Sequence, residues 1–104
     1  MKNKIVLFYV PFPSEKSANK ISNYLLVNEL AVCIQAFKVI SNYIWNEKIT
    51  KGNECIAIIK TNKQNEKAAF QYIASNHPYE VPCIIKLKGR VNKKYASWMN
   101  GLIT

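Results

Sequence analysis

The sequence predicts an α+β fold in one domain that spans residues 1–104. Segments rich in β-branched and aromatic residues, which favour strands, alternate with segments whose apolar residues recur at helical spacing. Prolines at positions 11, 13, 78 and 82 separate several of these segments. A chain of 104 residues with 49% hydrophobic residues can bury one core, so a second domain is not expected.

The elements follow one another in the order βαββαβ, with one further helix. The first helix starts after Ser14 as N-cap and buries Ala18, Ile21 and Leu25. Thr61 with Gln64 predicts a capping box for the second helix, whose buried face comprises Ala69, Phe70, Ile73 and Ala74. The predicted bounds are a strand at 4–10 ended by Pro11, a helix up to 28 or 29, a strand at 31–45 bulged near Lys38, a turn at 46–53, a strand at 54–60, a helix from 61, a strand at 83–87 and a helix at 93–103. This order predicts a ferredoxin-like sandwich with a short C-terminal helix.

The second strand is apolar on both faces, although two helices can cover only one side of a four-stranded sheet. We therefore expect another copy of the chain on the other side. The alternative is that the C-terminal helix, with Tyr95 and Trp98, covers it.

The net charge of +9 comes from 15 basic and 6 acidic residues. Lys, Asn and Ile together supply 39 of the 104 residues, so a compositional bias explains much of the charge. Five basic residues between Lys86 and Lys94 are a candidate nucleic-acid or anionic-lipid surface. The chain has no aromatic RNA-binding signature, so we expect a solvated face there and no nucleic-acid partner.

Cysteine number and apolar run length bear on the cellular compartment. The three cysteines are an odd number without a C-x-x-C pair, which favours reduced, mostly buried thiols in the cytoplasm. The longest apolar runs, of about six residues, are far shorter than the roughly 20 that a spanning helix needs, so no membrane association is expected.

Five short blocks of the sequence resemble the CutA family of divalent-cation tolerance proteins, in the same order and at similar spacing. They are His77-Pro78-Tyr79-Glu80-Val81-Pro82, Leu30-Ala31-Val32-Cys33, Ser41-Asn42-Tyr43-Ile44-Trp45, Lys60-Thr61 and Tyr95-Ala96-Ser97-Trp98. The resemblance implies a ferredoxin-like subunit in a homotrimer whose long hairpins extend the sheets of neighbouring subunits, similar to the PII signalling proteins. It also implies tolerance to copper and other divalent metals, and no established reaction.

The chain departs from the family pattern at four positions. Val10 stands where bacterial members have a metal-ligating Cys, and Asn76-His77 replaces a His pair. Cys83 stands in place of a Glu, and Glu47 in place of a hairpin Gly. A soft ligand is therefore present close to the one remaining His.

We expect a metal, if one is bound, to be copper or another divalent ion, held by His77 with Cys83 or Cys33 as soft ligands and with Glu80 orienting the imidazole. His77 and Cys83 are six residues apart in an extended segment, so they would share an ion only across a bend or between subunits. The alternatives are that the cysteines are core residues and that His77 caps a helix.

A second candidate site is a crevice for a small anion or planar ligand. It would be lined by Tyr43, Trp45, Lys60, Tyr79, Glu80 and Trp98. The alternatives are that the aromatic residues belong to the core and that Lys60-Thr61 serves only to cap a helix.

Together these expectations describe a cytoplasmic homotrimer for divalent-cation (copper) tolerance that binds a metal ion or a small ligand, requires no cofactor and is not an enzyme. The chain has no Asp, one His and one Arg, so it lacks residues that general acid–base and nucleophilic catalysis commonly use. The alternative function is a PII-like signalling or scaffold module that docks a partner protein through its 45–52 hairpin, without metal.

Overall fold

The computed structural model describes residues 3–104 and confirms the predicted α+β order. The elements are β1 Lys4–Phe12, α1 Glu15–Val27, β2 Cys33–Trp45, β3 Lys48–Thr61, α2 Lys63–Asn76, β4 Ile85–Arg90 and α3 Lys93–Leu102. The strands form one antiparallel sheet in the order β2-β3-β1-β4. None of the helices within residues 3–104 is long and apolar enough to cross a membrane.

The two faces of the sheet are covered unequally. On one side, which we call the helix face, α1 and α2 bury Phe8, Val10 and Ile59 among other residues of β1 and β3. On the other side, the open face, α3 packs Met99 against Ile5 near the start of β1. Ser14 caps α1, and Ala18, Ile21 and Leu25 are its buried residues, as predicted.

The strand β1 continues through Pro11 to Phe12 instead of ending before the proline. Pro11 pairs with Ile56 of β3, while pairing with β4 stops at Tyr9. The Pro11 carbonyl accepts a hydrogen bond from His77, so it points away from β3, and its nitrogen points the same way. The missing N–H therefore lies on the unpaired side of the strand and costs no ladder bond.

The hairpin of β2 and β3 is longer and more regular than predicted. Its register is unbroken from Cys33↔Lys60 to Trp45↔Lys48, so the predicted bulge near Lys38 is absent. The turn has only two residues, Asn46 and Glu47, with φ of 51° and 64°. Positive φ at both positions is the type I′ geometry that matches the twist of paired strands.

The second half of the chain corrects three further predictions. Thr61 belongs to β3 and donates to the Leu30 carbonyl at 2.8 Å, while Asn62 caps α2 by accepting from the Asn65 N–H. On α2, Ala69 and Ile73 are buried and Ala74 is exposed, while Phe70 lies at the edge of the core, with its ring centroid 6.4 Å from that of Phe8 and 44% of its surface exposed. The last strand begins at Ile85, which pairs with Tyr9, rather than at residue 83.

Candidate functional site

Residues 77–82, which we call the crossing segment, lead from α2 around the end of β1. The His77 ring stacks on Phe12 with ring centroids 4.6 Å apart. Its Nε2 lies 2.7 Å from the Pro11 carbonyl oxygen, and its Nδ1 is 3.0 Å from the Tyr79 amide nitrogen. Both ring nitrogens are therefore held by backbone groups.

These contacts determine the protonation state of His77. A carbonyl oxygen can only accept and an amide N–H can only donate, so Nε2 carries the proton and Nδ1 accepts. Burial lowers the pKa of His77 below its usual value, and the Pro11 carbonyl and the Glu54 carboxylate oppose that shift. His77 is the C-cap residue of α2, but as a neutral ring it acts there through hydrogen bonds and not through charge.

Tyr79, two residues further on, contacts a carboxylate that the sequence analysis missed. The Tyr79 hydroxyl donates to Glu54 Oε2 at 2.6 Å, and the Ser41 hydroxyl donates to Glu54 Oε1 at 2.6 Å. Burial, the bond to Glu54 and the charge of Glu54 all raise the pKa of Tyr79, and nearby Tyr43 adds to this effect. The one sequence signal for Glu54 was an acidic residue beside the buried, apolar part of a strand.

A second group of predicted residues lies near α3. The Lys60 ammonium is 5.8 Å from the centre of the Tyr95 ring, which is 5.3 Å from the Trp98 ring. The Tyr95 hydroxyl is buried without a hydrogen-bond partner of good geometry, and Cys33 is the thiol close to it. Burial raises the pKa of Tyr95, and the neighbouring Cys33 thiol raises it further.

The six predicted crevice residues do not form one crevice within a chain. Tyr43 and Tyr79 lie near Glu54, whereas Lys60 and Trp98 lie near Tyr95. Tyr43 faces Thr50, which is ten residues from Lys60 along β3, or roughly 33 Å. The remaining two, Trp45 at the end of the hairpin and Glu80 in the crossing segment, are exposed. The straight hairpin separates residues that the sequence analysis grouped together.

Cys33 is separated from His77, a second predicted metal ligand. Cys33 of β2 pairs with Lys60 of β3, and Lys60 in turn pairs with Leu7 of β1. His77 instead contacts Pro11, which is four residues, or roughly 13 Å, from Leu7 along β1. Cys83 is exposed, contrary to the prediction of mostly buried thiols, while Cys55 is a core residue. Among residues 3–104, no three His, Cys, Asp or Glu side chains are close enough to hold one metal ion.

Comparisons with known proteins agree on one family. The family model described as CutA1 divalent ion tolerance protein matches residues 6–101. The divalent-cation tolerance protein CutA of Thermotoga maritima is 36% identical over 96 residues, which cover 91% of this chain and 95% of that protein. The CutA of Thermococcus kodakarensis is 35% identical over 95 residues, covering 90% and 91%.

Solved structures give the same result for the fold. The crystal structure of the divalent ion tolerance protein CutA1 from Ehrlichia chaffeensis has a TM-score of 0.93 and 36% identity, covering 100% of this chain and 98% of that chain. A CutA from Archaeoglobus fulgidus that is described as a periplasmic divalent cation tolerance protein has a TM-score of 0.91 and 27% identity, covering 96% and 99%.

Proposed function

Since this chain belongs to the CutA1 divalent ion tolerance family, we propose that it contributes to copper tolerance as a homotrimer that binds metal without catalysing a reaction. The match of the family model to residues 6–101 carries this proposal, because it spans almost all of the described fold. The identity of the metal, its ligands and the trimer are the parts that need an experiment.

The trimer is supported by the apolar side chains of the hairpin. Ile40, Ile44 and Ile49 are exposed on one side, and Phe37, Tyr43 and Trp45 on the other. Monomeric proteins rarely leave several large apolar side chains clustered in water on each side of a hairpin. Because α3 packs near the start of β1, the hairpin is left for a neighbouring subunit to cover.

Cys83 is the centre of the proposed copper site. Its thiol is exposed, and sulfur is a ligand type that Cu(I) prefers. His77 is neutral, as a ligand must be, but its Nδ1 becomes available only when the Tyr79 N–H is displaced. Cys33 is level with Leu7 in the middle of β1, roughly 13 Å from the His77 contact at Pro11, so a site that includes it would draw its ligands from different subunits. The Pro11 carbonyl, which accepts from Nε2, orients the imidazole in place of the predicted Glu80.

Native mass spectrometry with one equivalent of Cu(I) per chain under reducing conditions tests the proposal. We expect a particle of three chains that takes up copper in whole equivalents. Cys83→Ser should abolish uptake and Cys33→Ser should weaken it, whereas Cys55→Ala, which removes a core thiol, should not change it. Equal uptake by Cys83→Ser and Cys55→Ala would contradict the proposed ligands.

The absence of catalysis is proposed from the chemistry of the site. The one His has both nitrogens occupied, and Tyr79, with its raised pKa, stays protonated beside Glu54. Neither the His77 ring nor the Tyr79 hydroxyl is therefore a free proton acceptor or donor in this cluster. The cytoplasm is proposed from the three free cysteines, since oxidising compartments favour disulfides.

The second candidate function is the PII-like module that docks a partner protein through the 45–52 hairpin. Ile49 is 86% exposed and Trp45 56% exposed near the tip of this hairpin, which favours a contact there. The same copper titration separates the two functions, because a trimer that ignores copper would favour the docking module.

A further inference from the structure

The end of the sheet opposite the hairpin turn carries a cleft in which four of the eight lining residues are cations. It lies between the start of β1, the end of β4 and the first turn of α2, and its volume is about 300 Å³. The charged residues that line it, which define what we call the basic cleft, are Lys4, Lys63, Glu66, Lys88 and Arg90. The metal site proposed above includes none of these residues.

Strand pairing brings three of these cations together. Lys4 pairs with Arg90, and Val6, two residues further along β1, pairs with Lys88. Residues two apart in a strand, and directly paired residues in neighbouring strands, share a face of the sheet. All three side chains are therefore on the helix face, the side on which α2 lies and to which Lys63 contributes a fourth cation.

The carboxylate that lines the basic cleft is already neutralised. Glu66 Oε2 accepts a hydrogen bond from Lys86 Nζ at 2.7 Å. This bond, together with the charges of Lys86, Lys88 and Lys63, lowers the pKa of Glu66 below its usual value. In the part of the chain from residue 3 to 104, the side-chain nitrogens of the four lining cations have no carboxylate oxygen within 4.0 Å.

This arrangement costs stability unless an anion joins it. Like charges directly opposite each other in an antiparallel pair are destabilising, and Lys4 and Arg90 are such a pair. The guanidinium fork of an arginine matches two phosphate oxygens, and ammonium groups bind phosphate as point charges. One arginine with three lysines is thus a set of donors suited to more than one phosphoryl group.

We propose that the basic cleft binds a compact polyanion that carries at least two phosphoryl groups. A volume of about 300 Å³ is at the lower end of the range for small-molecule sites. A nucleic-acid strand would need a basic groove that follows its backbone over several nucleotides, together with aromatic side chains for its bases. The lining of the basic cleft contains no aromatic residue.

Isothermal titration calorimetry with inorganic tripolyphosphate tests the proposal on the full chain. The wild type should bind it saturably and bind inorganic phosphate far more weakly. Lys88→Gln with Arg90→Gln should lower the affinity by about tenfold or more, because hydrogen bonds to charged groups are worth that much. Lys16→Gln with Lys20→Gln is the matched control, since it removes the same charge from exposed positions of α1 and should leave the affinity within about twofold.

Three results would overturn the proposal. One is a wild type that does not bind tripolyphosphate saturably, and another is an equal loss in the two double variants, which would mean that only net charge matters. The third is binding of a single-stranded oligonucleotide or of anionic vesicles without binding of tripolyphosphate, which would assign the surface to a macromolecule or a membrane.

Thermal unfolding gives a second readout that does not depend on the calorimetry. Without ligand, Lys4→Gln should unfold at the same temperature as the wild type or higher, because the repulsion with Arg90 is gone. With tripolyphosphate, the wild type should gain more stability than this variant. An equal gain in the two proteins would contradict a role for Lys4 in binding.

Discussion

His77 is held on three sides, and two of these contacts favour its neutral form, whereas the bond to the Pro11 carbonyl opposes them. Phe12 covers the ring, Pro11 accepts from Nε2 and Tyr79 donates to Nδ1. Protonation of Nδ1 would place two donors against each other and would bring a charge into a buried position. The neutral ring therefore makes both bonds, whereas a protonated ring would keep only the bond to Pro11.

Acid should consequently weaken the fold through His77. Its folded-state pKa is lowered from 6.5, so the unfolded chain binds the proton more readily. The stabilising contribution is fully present above pH 6.5 and is lost as the pH falls through the folded-state pKa. Urea unfolding between about pH 7.5 and 5 should show a loss of up to about 1.4 kcal/mol per pH unit from this one group.

The control for this prediction is His77→Gln, whose amide can still donate to Pro11 but does not titrate. Its stability should depend less on pH over the same range, even though its baseline is lower because the stacking on Phe12 is lost. Glu66 does not confuse the comparison, because its pKa is lowered from 4.5 and its contribution is lost only below that value. Equal pH slopes in the two proteins would contradict the assignment to His77.

At the scale of residues, the sequence identified His77 and Tyr79 but not what they contact. Both positions are recognisable from their motif, whereas Pro11, which His77 contacts, and Glu54, which Tyr79 contacts, are far away along the chain. Glu54 becomes a partner only because the crossing segment passes the sheet next to β3. Such contacts depend on the path of a loop, which residue spacing does not specify.

At the scale of elements, α1 was predicted closely because its signals are local, whereas the start of β3 was predicted six residues too late. Residues 48–53 are mostly polar, which is typical of a turn. They nevertheless form a strand that extends beyond the core, where neither face is buried by the chain itself. Strand pairing and the tight turn at Asn46 and Glu47 hold them there, and neither depends on hydrophobic alternation.

Glu47 makes this turn less stable than it could be. Its φ of 64° is in the left-handed region, where a side chain costs about 1 kcal/mol and glycine costs little. Glu47→Gly should therefore raise the free energy of unfolding by about 1 kcal/mol, measured by urea denaturation at a fixed protein concentration. Lys48→Gly, one residue later inside β3, is the control and should lower stability, because glycine weakens a strand. No gain from Glu47→Gly would mean that the turn does not limit the stability of the hairpin.

At the scale of the whole molecule, the two-sided apolar pattern of β2 predicted a surface that one chain does not cover. The alternative, that α3 covers the open face, holds only near the start of β1, where Met99 packs on Ile5. Trp98 remains 50% exposed, and α3 does not bury the hairpin. The pattern could reveal that a partner surface is needed, but not which surface meets it, because a single sequence contains no information on symmetry.

The assembly is tested most directly at Ile44 and Ile49, which face each other across the hairpin and are 75% and 86% exposed. Since neither contributes to the core of its own chain, changing both to lysine should leave the subunit folded, with an unchanged far-ultraviolet circular dichroism spectrum. A trimer that buries them would lose its apolar contact and gain buried charges, so the double variant should dissociate to monomers in analytical ultracentrifugation. Val27→Lys, at an equally exposed valine near the end of α1, is the matched control and should stay trimeric. If the wild type itself sediments as a monomer, or if the double variant stays trimeric, the hairpin is not the assembly surface, and its exposed isoleucines would instead favour the docking of a different protein.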